Sequence, residues 1–113
     1  MNRQISITSN YIDNKSKLYF SKKELTKILQ YYSFGVSKGR WKDYSIQFEI
    51  NTAYFHIYKN FSEKPLLSIF KKKEKRKKTY NYQLSYGYNN LNFNEKLENL
   101  FVYLNRKNIK LIK

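Results

Sequence analysis

Eight consecutive residues, KKKEKRKK at positions 71–78, set seven cations around a single Glu. A run of this kind can neutralise phosphates of a nucleic acid and release the counterions condensed on them, so that binding weakens steeply with salt. The candidate phosphate contacts are Lys71, Lys72, Lys73, Lys75, Arg76, Lys77 and Lys78. No Asn or Gln stands among them to read a base edge, so their contribution is blind to sequence. The competing reading is a solvated loop, the usual fate of a run of like charge. Anionic lipid would also attract such a run, at about 1 kcal/mol per cation. No exposed apolar anchor flanks it, which ranks a membrane surface lower.

Tyrosines form the second constellation. Tyr54, His56 and Tyr58 alternate with Ala53, Phe55 and Ile57. If helices cover the apolar set, the other face is an aromatic platform on which unpaired bases stack, at ~1–3 kcal/mol per base. The alternatives are that tyrosine simply packs well on a half-exposed strand, or that two such sheets meet in a homodimer. The third constellation is GRWKDY, residues 39–44. An exposed Trp41 between Arg40 and Lys42 would be a stacking and phosphate site. A buried Trp41 would instead hold a helix–sheet junction. Lys23, Lys27 and Lys38 share one sector of a helix, about 80° wide, with Tyr31 and Phe34. That sector either extends a basic patch or is covered by a second helix or a subunit.

Catalytic constellations are missing. His56 is the one histidine, and none of the eight carboxylates shares a motif with it; acid–base or triad chemistry needs such a partner. One histidine and no cysteine make a metal site equally poor. The three glycines, Gly35, Gly39 and Gly87, form no phosphate-cradling loop. The chain is therefore read as non-enzymatic, with no catalytic residue, no metal or cofactor, and no small-molecule substrate.

A chain of 113 residues is one domain by length. Its formal charge of +15 calls for an anionic partner, nucleic acid first, either RNA or DNA. Lys, Asn, Ile, Tyr and Phe are also residues with AT-rich codons, so composition bias is an alternative source of the basicity. No run reaches the ~20 apolar residues of a membrane span. With no signal-peptide pattern and no cysteine, the expected setting is cytoplasmic.

These residues need elements to hold them. Residues 1–16 lack a sustained period and read as a loosely ordered arm, leaving 17–113 as a single domain. Ser21 followed by Glu24 is a capping box, with Phe20 and Leu25 as its hydrophobic staple. Leu25, Ile28, Leu29, Tyr32 and Val36 then predict one buried helical stripe ending at Gly39. Alternation predicts strands over Tyr44–Ile50, Ala53–Tyr58, Leu66–Phe70 and Thr79–Tyr88, joined as an antiparallel meander because the connections are short. The basic octet becomes the arm of the third hairpin. Asn92 with Glu95 predicts a second cap, before a helix whose buried stripe is Leu97, Leu100, Phe101 and Leu104 and which closes at Arg106 and Lys107. Ile109–Ile112 reads as a tail or short edge strand.

Three stretches, FSKKELTKILQYY, GRWKDYSIQFE and AYFHIYKNFSEKPLLSI, resemble a family of small alphaproteobacterial proteins of unknown function. The resemblance runs over Phe20–Ile69. Its most specific pieces are Gly39-x-Trp41-Lys42-Asp43-Tyr44, Ala53-x-Phe55 and Glu63-x-Pro65-Leu66. It implies a small bacterial, cytoplasmic domain and no assigned activity. The fold expected is α+β: an N-terminal helix, a four-stranded antiparallel meander and a C-terminal helix. The function expected is sequence-nonspecific nucleic-acid binding through the lysine-rich loop. The alternative is a protein–protein adaptor or accessory subunit that uses exposed aromatic faces.

Overall fold

Ser21 starts the first helix, α1 (Lys22–Ser37), because its hydroxyl accepts the Glu24 backbone N–H at 3.0 Å while the Glu24 carboxylate accepts the Ser21 N–H at 2.8 Å. Two donors that the helix cannot pair internally are thereby satisfied. The helix stops where Lys38 caps it and Gly39 turns to φ 74°, a left-handed conformation open to glycine without steric cost. The structure is a computed structural model that describes residues 17–60, 64–74, 79–86, 89–93 and 96–112. The arm expected at 1–16 lies outside them.

Five strands follow in a meander: β1 (Asp43–Phe48), β2 (Thr52–Tyr58), β3 (Leu67–Lys73), β4 (Tyr80–Tyr86) and β5 (Asn89–Phe93), each antiparallel to the next. The four expected strands are present. The fifth is an addition, because the Asn-rich segment NNLNF has little strand propensity of its own and is recruited by pairing with β4. Asn92 therefore pairs with Gln83 in the ladder and caps no helix. The last helix, α2 (Leu97–Ile112), runs on past Arg106 through the segment expected to be a tail or strand. Strand β3 likewise continues into the octet, as far as Lys73.

The register sorts side chains by parity. Ile46, Phe55, Ile69 and Leu84 are opposite one another across four strands, and both helices pack on that face. Tyr32 of α1 meets Tyr44 and Phe55, and Tyr103 of α2 hydrogen-bonds Tyr86. Ile28, Phe55, Ile57, Ile69, Leu84, Leu100 and Leu104 are fully buried between them. Val36, expected in the stripe, is exposed; Gly35 takes the inward position, against Trp41.

Tyr31 fills the space between Trp41 and Phe101, 5.5 Å from each ring centre. Its hydroxyl has no hydrogen-bond partner among the described residues, and burial pushes its pKa up to about 12. An unpaired buried hydroxyl costs stability. Tyr31→Phe is expected to raise the unfolding free energy by about 1 kcal/mol in urea titration; a loss of that size would show that the hydroxyl is paired after all.

Candidate nucleic-acid interface

Tyr54, His56 and Tyr58 point away from the helices because Ala53, Phe55 and Ile57 point toward them. Among the described residues, neither helix covers the face they form. The three rings make a row along β2, with Tyr54 and His56 near-parallel at 5.5 Å and His56 and Tyr58 at 6.5 Å. Phe70 joins from β3, edge-on to Tyr54 at 5.2 Å. Each polar end in the row has a partner: His56 Nδ1 with the Ser68 hydroxyl at 2.7 Å, the Tyr58 hydroxyl with Ser45 at 3.1 Å, and the Tyr54 hydroxyl donating to Glu49 at 3.1 Å. Two of these partners are short residues of β1 and β3, so the rings are fixed in direction while their faces stay half-exposed. Burial lowers the pKa of His56, which keeps the imidazole neutral at pH 7. Burial and the Glu49 carboxylate raise that of Tyr54. The result is a fixed aromatic platform with little charge of its own.

The cations fall in separate places. Lys72 is exposed opposite Thr52, at the β1–β2 turn end of the row, and Lys73 follows it. Lys75, Arg76, Lys77 and Lys78 lie outside the described residues. Lys71 is not a surface phosphate contact. In β3 it has the parity of Leu67 and Ile69, so its side chain turns inward and is only 5% exposed. Its ammonium donates to Glu24 at 2.8 Å and to the Tyr19 carbonyl at 3.0 Å, and sits 4.3 Å from the Tyr80 ring centre. Tyr82 donates its hydroxyl to the same carboxylate. The first residue of the octet is therefore a core residue.

Lys23 and Lys27 line a cleft of about 460 Å³ between the starts of α1, β4 and α2, on the helix side of the sheet. Lys27 forms an ion pair with Glu98 there. Neither extends the octet across the platform. Lys38 is at the end of α1, where its ammonium and the Arg40 guanidinium lie over the Phe34 ring at 5.4 and 5.3 Å. Trp41 is not a stacking residue. It is 3% exposed and donates its indole N–H to the Tyr32 carbonyl at 2.8 Å, holding α1 to the sheet. Phe70 escaped the sequence reading, although its parity with Ser68 opposite His56 places it beside Tyr54. The signal was there once the β2–β3 register is known, and the register cannot be read from one strand.

Among the described residues, no cluster of three His, Cys, Asp or Glu could hold a metal ion, and no helix is long and apolar enough to cross a membrane. No curated protein and no solved structure matches the chain. The family model described as "Protein of unknown function (DUF2794)" matches residues 18–91, reaching past the expected Phe20–Ile69 and across the basic octet. That match takes in α1, strands β1 to β4 and the platform, so the chain belongs to the DUF2794 family of proteins of unknown function.

Proposed function

We propose that this protein binds single-stranded nucleic acid, without sequence specificity, on the uncovered face of its sheet. Bases stack on Tyr54, His56, Tyr58 and Phe70, while Lys72, Lys73 and the cations at 75–78 hold phosphates. The supporting observation is the row itself: neutral aromatic rings, pinned at their polar ends and leading to Lys72 at one end. Stacking tolerates any base, because every base has a π-face. The reading includes no enzymatic step, and the bacterial, cytoplasmic setting implied by the family resemblance is part of the same proposal.

The test is fluorescence anisotropy with labelled single- and double-stranded DNA and RNA, up to ~0.15 M salt. Tyr54→Ala/Phe70→Ala is expected to weaken single-strand binding at least about tenfold, as loss of one stacked base predicts, and to leave duplex binding unchanged. Equal binding by the variant and the wild type would overturn the platform. The adaptor reading is favoured by Phe34, an aromatic 48% exposed on α1. It expects a stable dimer or hetero-complex in solution sizing and no single-strand binding at that salt.

A further inference from the structure

We infer that Gln83 and Ser85 take the ribose 2′-hydroxyls of the bound strand, so that the sheet face selects RNA over DNA. This rests on the single-strand reading above and leaves its indifference to base sequence intact. Strand β4 turns Tyr82 and Leu84 toward the helices, so Asn81, Gln83 and Ser85 point to the platform face. The register sets Gln83 opposite Phe70, and Ser85 opposite Ser68, the residue that holds His56. A strip of uncharged hydrogen-bonding groups therefore lies beside Phe70, one strand spacing of about 4.8 Å away. Gln83 and Ser85 are half-exposed, and neither side chain has a hydrogen-bond partner among the described residues. Asn81 differs, because it is 8% exposed and its amide donates to Glu74.

Charge decides which flank of the platform the sugars and phosphates follow. On the β1 flank, Asp43 is opposite Tyr58, and Glu49 accepts the Tyr54 hydroxyl. Carboxylates there repel a phosphodiester chain. Strands β3, β4 and β5 contain no acidic residue, and Lys72 stands on the platform face of β3. A backbone drawn toward Lys72 carries its sugars over β3 and β4 while its bases lie on Tyr54, His56 and Phe70. The 2′-hydroxyl both donates and accepts, as do a carboxamide and a serine hydroxyl. A phosphate oxygen only accepts, and it gains most from a cation. Gln83 and Ser85 are two residues apart, ~6.7 Å at strand rise, which lets them serve neighbouring sugars. The sugar is the same under every base, so this contact does not restrict sequence.

Oligouridylate and oligodeoxyuridylate of equal length differ only in the 2′-hydroxyl, and strands of about 12 nucleotides fall within single-strand site sizes. In anisotropy at ~0.15 M salt, the wild type is expected to bind the ribo form about threefold to tenfold more tightly, the worth of one or two net hydrogen bonds. Gln83→Ala/Ser85→Ala should bring the ribo form down to the deoxy form and leave the deoxy form unchanged, which also certifies the fold. Gln83→Asn/Ser85→Thr keeps both kinds of group and should retain most of the preference. Equal wild-type affinities, or a preference that survives Gln83→Ala/Ser85→Ala, would overturn the assignment. So would a loss in that variant that is alike for ribo and deoxy strands but differs between oligoadenylate and oligocytidylate, since the two side chains would then be reading base edges. The platform fails in a different way: Tyr54→Ala/Phe70→Ala should weaken both uridylate forms alike. If the wild type binds neither form, the single-strand reading falls and the ribose assignment with it.

Discussion

Replacing Glu24 with Ala should destabilise the protein by about 3–5 kcal/mol, the cost of leaving one member of a buried ion pair alone. Glu24 carries three duties. It closes the capping box with Ser21, receives the Lys71 ammonium, and accepts the Tyr82 hydroxyl. Alanine would leave Lys71, a side chain 6% exposed, with only the Tyr19 carbonyl and the face of Tyr80. Urea unfolding of Glu24→Ala beside Glu24→Leu/Lys71→Met tests the account. The apolar pair should recover much of the loss, because it removes the stranded charge with its partner. A single-variant loss below about 1 kcal/mol, the worth of an ordinary cap, would mean that the pair contributes nothing.

Acid gives an independent check on the same carboxylate. Burial alone would raise its pKa, but the bonds from Lys71, Tyr82 and the Ser21 N–H outweigh burial and hold it below the usual 4.5. As pH falls past about 4.5, the unfolded chain takes up this proton before the folded chain does. The stability due to Glu24 is therefore complete above that pH and drains away as pH falls toward the folded-state value. Thermal midpoints should decline across that window in the wild type, and Glu24→Gln should lack this share of the decline.

Gly35→Ala should cost about 2–3 kcal/mol, although alanine is the better helix former by roughly 1 kcal/mol. A Cβ at residue 35 would fall within the indole of Trp41. The indole cannot step aside cheaply, since its N–H is held by Tyr32 and its ring is packed on Tyr31. Displacing it would open the helix–sheet junction, and the near-ultraviolet circular dichroism of the lone tryptophan should change with the melting temperature. A variant of wild-type stability would show that α1 can lift off the sheet without penalty.

Periodicity carried most of the architecture, and the failures have a common cause. Ser21–Glu24, Gly39 and the alternation in Asp43–Phe48 and Thr52–Tyr58 are local signals, and each sits where local chemistry puts it. Lys71, Gly35 and Asn92 were misplaced or overlooked, and the burial of Trp41 stood as one of two readings, because their roles are set by contacts between elements, which the period of a single element does not carry. Lys71 depends on Glu24, Trp41 on the end of α1, and Asn92 on Gln83. Of the candidate site, the row Tyr54, His56 and Tyr58 was legible from alternation alone. Phe70 needed the pairing of β2 with β3.

The buried Lys71 divides the octet into parts with different evolutionary latitude. Side chains along a strand alternate between faces, so a one-residue slip of β3 would push Phe70 into the core and swing Lys71 out to water. Position 71 must therefore remain a long cation at a fixed distance from Pro65, and a deletion between them would strand Glu24. Beyond Lys73 the described residues add one further tie, at Glu74, whose carboxylate accepts from the Asn81 side chain and whose N–H donates to the Thr79 carbonyl at 2.8 Å. The expectation for relatives of this chain is a segment after residue 74 that varies in length and charge beside a long cation held at position 71, so that the octet is two units and not one basic block.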